Sequence, residues 1–186
     1  GYTGEDGFEI YIPPKTAPAI WEKLLSVGKP FEITPAGLAA RNTLRLEMAY
    51  SLYGHEIDQT TNPWEANLDW IVKLEKDDFI GKEALERLKK AGPARRLVGF
   101  EMVDRGIARD HYPVLVDGEK ISEVTSGSPA PSLGKHVGLA YLPIRYTEVD
   151  QLLEVEVRGK RLKAKVVSTP FQKKSFSRVD SPGHLG

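Results

Sequence analysis

The first candidate for chemistry is a carboxylate within a short alternating stretch of sequence. Glu9 stands in the run from Phe8 to Ile12, directly after the glycine-rich turn GYTGEDG. A carboxylate held on a strand can accept two adjacent N–H donors from a planar heterocycle such as an amidine edge. Tyr2, ahead of the turn, could supply ring packing or a hydroxyl group. The alternative is that Glu9 is an exposed strand residue that binds nothing.

Two arginines are the second candidate. Arg41 and Arg45 are four residues apart on a predicted helix, so they share one of its faces. Their planar guanidinium groups could bind the carboxylates of an acidic substrate. Alternatively, they pair with Glu32 or Glu47 and serve only the fold.

The other reactive or aromatic side chains give weaker signals. Ser126 lies in TSGS without the strand-turn-helix setting of a nucleophile elbow, so we interpret it as a turn serine. His55 and Glu56 are adjacent in a predicted loop and should point apart. Trp64 and Trp70 could form a wall for a flat ligand or could fill the core. The histidines lack metal-ligand spacing, so no metal site is predicted: His55, His111, His136 and His184.

Composition limits the possible partners and compartments. The chain has 186 residues, with 26 Lys plus Arg and 26 Asp plus Glu, so no net charge attracts nucleic acid or an anionic membrane. It has no cysteine, which excludes disulfides, thiolate metal sites and thiol nucleophiles. It shows neither an apolar stretch of about 18 residues nor a signal peptide. We therefore expect an intracellular protein with no nucleic-acid or membrane partner, located in the cytoplasm or, in a eukaryote, in the mitochondrial matrix.

The candidate residues of the first half depend on a strand and several helices. The strand Phe8 to Ile12 should end at Pro13-Pro14. Thr34 as N-cap and Pro35 as the first helical residue should start the helix that carries both arginines, Ala36 to Ala49. The remaining predicted elements are helices over Lys15 to Val27, Asn62-Pro63 to Leu68 and Lys82 to Lys90, and a strand over Trp70 to Leu74. We place a domain boundary at Gly92-Pro93.

The second half is predicted to be entirely β. Asp117-Gly118 and Arg158-Gly159 lie between apolar runs and are typical hairpin turns. Short strands at this spacing favour an antiparallel barrel or sandwich of about 80 residues. The predicted strands are Leu97 to Val103, Val114 to Val116, Lys120 to Ser126, Val137 to Leu142, Leu152 to Val157 and Leu162 to Ser168.

Several blocks of the sequence, taken in order, resemble the aminomethyltransferase, or T-protein, family of the glycine cleavage system. They span Gly1 to Phe171. The resemblance covers only the C-terminal half of a full-length T protein, and a first residue other than Met suggests a longer parent. The blocks are GYTGEDGFEIY, PAGLAARNTLRLEMAYSLYGHEI, NPWEANLDWIVKL with FIGKEAL, RLVGFEM with RGIARDHYPV, and VTSGSPAPSLGKHVGLAYLP.

The resemblance implies an α+β fold in two domains and a tail. Residues 1–92 would be the C-terminal part of the folate-binding aminomethyltransferase domain, the remainder of a ferredoxin-like unit. Residues 93–171 would form an antiparallel β-barrel domain, and 172–186 a tail. The family's middle domain has no counterpart in this chain.

The resemblance also implies an activity. Members of the family transfer a methylene group from the aminomethyl-lipoyl arm of H protein to tetrahydrofolate and release ammonia. The family's catalytic aspartate belongs to the N-terminal half. No catalytic residue is therefore assigned in this chain, and we expect the chain alone to be inactive.

Folate-binding residues follow from the matching motifs. The glutamate of GYTGEDGFE, which receives the pterin edge in the family, is Glu9 here, with Tyr2 beside it. The AARNTLRLEMAY block places Arg41 and Tyr50 near the folate. Arg109, in RGIARDHYPV, would be the barrel domain's contribution to the same opening.

Three other interpretations stay open. The first is a folate-dependent demethylase or oxidase with the same domains. The second is a non-catalytic folate-binding protein that supports iron–sulfur enzymes, whose KGCYxGQE motif is replaced here by DDFIGKEAL. The third is a docking module in which Lys135 and His136, or Lys173 and Lys174, meet an acidic carrier such as H protein. An incomplete sheet would also expose strand edges and favour self-association.

Overall fold

The computed structural model describes residues 1–172, and it divides into a helical first part and a β-barrel. The prediction of a tail over 172–186, with Lys173 and Lys174, falls on residues outside this range apart from Gln172. The helices are α1 (Ala17–Gly28), α2 (Leu38–Glu47) and α3 (Lys82–Ala91). The strands are β1 (Arg95–Met102), β2 (Pro113–Val116), β3 (Glu119–Ala130), β4 (Lys135–Pro143), β5 (Leu152–Val157) and β6 (Lys160–Val167). The predicted α+β class is confirmed, whereas the division at Gly92 stays a prediction.

The strands close into an antiparallel barrel in the order β1-β4-β3-β2-β5-β6, with β6 paired back onto β1. Each predicted strand is confirmed, and the barrel replaces the alternative of a sandwich. At the hairpin turns, Asp117 and Gly118 have φ of 52° and 81°, and Arg158 and Gly159 have φ of 52° and 76°. Positive φ at both central residues gives the twist that matches adjacent strands. The two predicted turns are therefore confirmed.

The barrel interior is an apolar core centred on Phe100. Phe100 is fully buried and packs with residues from the surrounding strands, such as Val114 and Val155. Its partner across the β1–β4 pair is Gly138, and a Cβ atom at that glycine would collide with the Phe100 ring. The ring therefore occupies the space that a side chain on β4 would otherwise fill.

The first part of the chain has few buried side chains and no described strand. The prediction of a strand over Phe8 to Ile12 is wrong, because a strand needs a hydrogen-bonded neighbour and no segment of residues 1–172 pairs with this one. Phe8 is 98% exposed. The strand predicted over Trp70 to Leu74 is also wrong, since the chain forms a 3₁₀ turn over Asp69–Ile71 there.

Two predicted helix starts also differ from the structure. Helix α2 begins at Leu38 with Gly37 as its N-cap, because the Thr34 hydroxyl donates backward to the Glu32 carbonyl. Asn62 does cap the next segment: its Oδ1 accepts from the backbone N–H groups of Trp64 and Glu65. The chain then continues as turns instead of a helix.

Helix α2 joins the first part to the barrel. Leu46 is 1% exposed and packs in a second apolar cluster with Leu97 of β1 and with Leu139 and Tyr141 of β4. At the end of α2, the Glu47 carboxylate accepts a hydrogen bond of 3.1 Å from the Ser132 backbone N–H. The C-terminal half of α2 is therefore fixed against the outer face of the barrel.

The described strands leave no open edge, because the barrel is closed. The predicted self-association would therefore have to use exposed apolar side chains of the first part, such as Phe8, Phe31 and Leu38. None of the described helices combines the length and hydropathy needed to cross a bilayer.

Candidate functional site

Tyr2 is the centre of the candidate site. Its ring stacks on that of Tyr50, with 6.1 Å between the centroids and 26° between the planes. The Arg41 guanidinium lies 4.5 Å from the Tyr2 ring centroid. The Tyr2 hydroxyl donates a hydrogen bond of 2.7 Å to the Ser51 carbonyl. The structure thus brings together three of the predicted site residues and fixes the central ring.

A close backbone approach places Tyr2 beside the end of α2. Gly4 has φ of +81°, and a Cβ atom there would lie 2.5 Å from Met48 Cγ. Only glycine accepts both this φ and this contact without strain. The glycine-rich turn can therefore lie directly on Met48.

Tyr50 is positioned by the way α2 ends. Ala49 has the left-handed φ of 54°, and its N–H donates to the Leu46 carbonyl at 2.8 Å. The next N–H, that of Tyr50, donates to the Arg45 carbonyl at 2.8 Å. This pair of bonds is the Schellman arrangement, which reverses the chain at a helix end. The reversal turns the Tyr50 ring back toward Tyr2.

Glu9 borders the same cleft as Tyr2 and Arg41. This Tyr2 cleft has a volume of about 450 Å³, and its apolar lining includes Leu38 and Leu44. Glu9 is exposed, and its Oε2 accepts a hydrogen bond of 2.9 Å from the Tyr11 hydroxyl. That bond raises the pKa of the Tyr11 hydroxyl above its ordinary value. The cleft therefore combines the Glu9 carboxylate, the Arg41 guanidinium and the ring of Tyr2, on which Tyr50 stacks from outside the cleft lining.

Arg109 lies elsewhere. It borders a separate cavity of about 560 Å³, here called the barrel cavity, together with Arg105, Arg158 and Tyr112. Its loop is fixed on the barrel because Ala108 lies against Gly127 of β3, where a Cβ atom would lie 2.6 Å from the Ala108 carbonyl oxygen. The structure therefore does not bring Arg109 into the Tyr2 cleft.

Arg45 is buried and belongs to neither of the predicted ion pairs. It is 1% exposed, and its Nη1 lies 3.0 Å from Oε2 of Glu56, whose side chain is 0% exposed. The predicted pair with Glu32 or Glu47 is therefore wrong for Arg45, because its ion-pair partner is Glu56. Helical spacing did not reveal the partner of Arg45, because Glu56 lies in the loop that follows α2 and not on the helix.

Ser126 is not a turn serine. It lies within β3, is 1% exposed, and accepts a hydrogen bond of 2.8 Å from Arg45 Nη2. Sequence reasoning missed Glu56 and Ser126 as parts of the site's support. No spacing signal in the sequence pointed to these contacts, since Glu56 and Ser126 both lie outside the helix that carries Arg45.

The surroundings of Tyr2 keep its hydroxyl protonated. Burial raises the pKa of this hydroxyl, and the nearby Glu56 carboxylate raises it further. The guanidinium groups of Arg45 and Arg41 act in the opposite direction, but the net shift is upward. Tyr2 is therefore a neutral hydrogen-bond donor throughout the physiological range.

The two tryptophans do not form a common wall. Trp70 is 70% exposed and borders a third cavity, of about 560 Å³, between Tyr2, Tyr50 and the barrel strands. Trp64 is half-buried and borders none of the cavities described above. For Trp70 the alternative of core filling is wrong as well.

Among the described residues, His55, Lys135 and His136 have partners within the chain. His55 Nδ1 lies 3.0 Å from the Thr125 carbonyl oxygen, so it points away from its neighbour Glu56. Lys135 pairs with Glu101 at 2.9 Å, and His136 Nδ1 lies 2.6 Å from the Gly106 carbonyl oxygen. Among the residues that the structure describes, no group of His, Cys, Asp and Glu has the geometry of a metal site.

Two protein-family profiles match the chain in succession. The profile described as "GCVT N-terminal domain" matches residues 1–76, and the one described as "Glycine cleavage T-protein C-terminal barrel domain" matches residues 95–173. The second match coincides with the barrel, which begins at Arg95.

Curated relatives carry the name aminomethyltransferase. The protein of Symbiobacterium thermophilum is 52% identical over 179 residues, which is 96% of this chain and 48% of the relative. That of Acidobacterium capsulatum is 53% identical over 178 residues, 94% of this chain and 47% of the relative. The chain spans about half the length of the curated relatives it matches.

A solved structure shows the same fold. The crystal structure of glycine cleavage system aminomethyltransferase T from Bartonella henselae is similar with a TM-score of 0.87 and 37% sequence identity. The similarity covers 94% of this chain and 48% of that one.

Proposed function

Because the chain belongs to the glycine cleavage T-protein family, we propose that it forms the folate-binding part of an aminomethyltransferase. The parent enzyme would transfer a methylene group from the aminomethyl-lipoyl arm of H protein to tetrahydrofolate and release ammonia. The observation that carries the proposal is the contact of Tyr2 with Arg41 and Tyr50 at the edge of the cleft that Glu9 borders.

Glu9 is the proposed acceptor for the pterin edge. A carboxylate can accept both N–H donors of an amidine-like edge through its two oxygens. Glu9 is exposed to the cleft, and within the described chain only its Oε2 has a side-chain donor, the Tyr11 hydroxyl. The substrate would therefore bind Oε1 directly and compete with the Tyr11 hydroxyl for Oε2.

Tyr2 is proposed to present its ring to the flat substrate, and Tyr50, which stacks on that ring without bordering the Tyr2 cleft, is proposed to hold it in place. The Tyr2 hydroxyl is already bonded to the Ser51 carbonyl, so the ring, and not the hydroxyl, is offered to the cleft. Arg41 is exposed and stacks on the Tyr2 ring. Its N–H donors suit a carboxylate of the substrate tail, because a guanidinium can bind both oxygens of a carboxylate at once.

Arg109 is proposed to act from the barrel on the far end of the same substrate. Its cavity is lined by two further arginines, Arg105 and Arg158, which gives that surface a positive charge. Such a surface would attract an anionic group. Its separation from the Tyr2 cleft fits contact with the tail and not with the pterin.

The proposed contribution of this chain is binding and orientation. Methylene transfer requires the folate nitrogen to approach the aminomethyl carbon, and holding the two in place supplies much of the rate. No catalytic residue is assigned in this chain, and we expect no ammonia release from the chain alone. Tetrahydrofolate and the lipoyl-bearing H protein are its proposed substrate and partner.

Calorimetric titration with reduced tetrahydrofolate tests the proposal. We expect binding by the chain and a loss of about tenfold or more in Glu9→Gln, because a charged hydrogen-bond acceptor becomes neutral. Asp6→Asn is the matched control, since it removes an acid from the same turn without altering the cleft lining. Equal affinity in Glu9→Gln and the unmodified chain would refute the role of Glu9.

A second assay addresses the reaction. The chain is mixed with aminomethyl-loaded H protein and tetrahydrofolate, with and without the N-terminal half of a relative such as the Symbiobacterium protein. We expect ammonia only when both halves are present, and Glu9→Gln should lower the rate of that mixture. Ammonia release by this chain alone would contradict the assignment of its role to binding.

A further inference from the structure

The backbone of three consecutive residues beside the Tyr2 cleft is held by side chains. The Tyr50 carbonyl accepts from Arg45 Nη1 at 3.1 Å, and the Ser51 carbonyl accepts from the Tyr2 hydroxyl at 2.7 Å. The Leu52 N–H donates to Glu56 Oε2 at 2.9 Å. The segment that carries Tyr50 and anchors Tyr2 is thus fixed by the buried Arg45–Glu56 pair.

The pair is in turn attached to the barrel. Arg45 Nη2 donates to Ser126 Oγ of β3 at 2.8 Å, and the Tyr141 hydroxyl of β4 donates to the Glu56 carbonyl at 2.7 Å. Arg45 Nε is occupied by Asn42 Oδ1 at 2.8 Å. Each nitrogen of the guanidinium therefore has an acceptor, and the acceptor farthest along the chain belongs to a barrel strand.

We propose that Arg45, Glu56 and Ser126 are positioning residues for the Tyr2 cleft, through which strand β3 of the barrel sets the placement of the Tyr2 and Tyr50 rings. That the Tyr2 cleft binds a ligand rests on the proposed function. The geometric coupling does not, because it concerns contacts within the chain. None of the three residues touches the substrate in this scheme.

Because the Arg45–Glu56 pair is buried, the coupling depends on the geometry of the pair. Both charged side chains lie out of water, where an ion pair gives little net stability but tolerates only a few geometries. Glu56 Oε1 has no hydrogen-bond partner among the described residues, so Oε2 alone serves Arg45 and Leu52. A change at Arg45 therefore moves the carboxylate that holds Leu52.

Space next to the pair lets such a change reach Tyr2. A cavity of about 260 Å³ is bordered by both Arg45 and Tyr2, together with Leu38, Arg41, Asn42 and Leu52. Close-packed surroundings would resist a shift of the guanidinium, whereas a cavity allows it. Tyr2 also borders that cavity, so it has room to move with the backbone of residues 50–52, to which it is bonded.

Fluorine NMR of the chain labelled with 3-fluorotyrosine tests the positioning role. The chain has 7 tyrosines, and single Tyr2→Phe and Tyr50→Phe variants assign the two resonances of interest. We expect Ser126→Ala to shift or broaden both. Ser128→Ala is the matched control, because Ser128 is buried on the same strand but, within residues 1–172, its hydroxyl donates only to the Pro129 carbonyl.

Rescue distinguishes positioning from general weakening. Ser126→Thr keeps the hydroxyl oxygen and should restore both resonances, which a purely volumetric effect would not predict. Should Ser126→Ala fail to fold, Glu56→Gln is measured instead, since it removes the charge that holds Arg45 and should move the same resonances. A folded Ser126→Ala or Glu56→Gln variant with unchanged Tyr2 and Tyr50 resonances would overturn the proposal.

Tetrahydrofolate titration of the same variants separates the two proposals. We expect Ser126→Ala to raise Kd about tenfold and Ser128→Ala to leave it within about twofold. If the unmodified chain does not bind tetrahydrofolate but Ser126→Ala moves both resonances, the proposed function fails for this chain and the positioning role stands. If the chain binds and Ser126→Ala changes neither the resonances nor Kd, the positioning role fails alone.

Discussion

The Tyr11 hydroxyl donates a hydrogen bond of 2.9 Å to Glu9 Oε2, two residues away along an exposed segment. One of the two carboxylate oxygens that a pterin edge would use therefore already has a donor within the chain. A substrate that binds both oxygens would compete with this donor for the lone pairs of Oε2. Tyr11 thus acts as a competitor for the proposed site, in contrast to Tyr2, whose hydroxyl points to the backbone.

Tyr11→Phe should tighten tetrahydrofolate binding. Removal of the competing hydroxyl spares the substrate the cost of breaking one hydrogen bond, which is about 0.5–1.5 kcal/mol net, or roughly two- to tenfold in Kd. Calorimetric titration measures the effect. Tyr53→Phe, at an exposed tyrosine outside the cleft, is the control and should leave Kd unchanged. Weaker binding by Tyr11→Phe would mean that Tyr11 orients Glu9 instead of competing for it.

Gly4→Ala should destabilise the chain and weaken the site. The new Cβ atom would lie 2.5 Å from Met48 Cγ at a φ of +81°, so both a steric clash and backbone strain oppose it. We expect a loss of about 1–3 kcal/mol in the free energy of unfolding, measured by urea denaturation.

Gly7→Ala is the control for this substitution. Gly7 lies in the same turn, but a Cβ atom there would have no neighbour within 4 Å. It should change the free energy of unfolding by less than about 0.5 kcal/mol. Equal losses in the two variants would show that the turn as a whole, and not the contact with Met48, is sensitive.

The barrel was predictable because its signals are local. Short apolar-rich runs mark the strands, and the Asp117-Gly118 and Arg158-Gly159 pairs fix two hairpins through positive φ. The first part was harder to predict, because its structure depends on contacts that are not local in the sequence. Phe8 to Ile12 has strand periodicity, but whether such a segment becomes a strand depends on a neighbour that periodicity does not reveal.

For the candidate site, the sequence predicted only that the residues of the matching motifs lie close together. Tyr2, Arg41 and Tyr50 come together as the motif resemblance implied, whereas Arg109 borders a different cavity. The Arg45 contacts could not be read from spacing, since Ser126 lies 81 residues farther along the chain. Such a contact is created by the docking of α2 on β3, which no pattern within either segment encodes.

Arg45→Met should be among the most destabilising substitutions in the first part. It leaves the Glu56 carboxylate buried without its partner, which costs about 3–5 kcal/mol in typical buried pairs. Glu56→Met should cost a similar amount. The double variant should cost less than the sum of the two, because no uncompensated charge remains.

Urea denaturation of the single and double variants measures this cycle. Arg87→Met is the control, since among the described residues Arg87 pairs only with Glu83, at 3.8 Å and in an exposed position, and should contribute less than about 1 kcal/mol. Additive losses in the Arg45 and Glu56 variants would contradict a coupled pair.

The hydrogen bond from Tyr2 to Ser51 should persist to alkaline pH. Burial raises the pKa of the Tyr2 hydroxyl above the ordinary value of 10.0, so the folded state favours the protonated form that donates the bond. The contribution to stability is therefore complete below about pH 10 and is lost as the pH rises through the raised pKa of the folded state. The difference in free energy of unfolding between the unmodified chain and Tyr2→Phe, about 0.5–1.5 kcal/mol, should stay constant from pH 7 to about pH 10 and then shrink.

Urea denaturation at a series of pH values measures this difference, and subtraction of the Tyr2→Phe curve removes the titration of other groups. A difference that vanishes well below pH 10 would show that the hydroxyl ionises more easily than its burial predicts and that Tyr2 is not held in the described position.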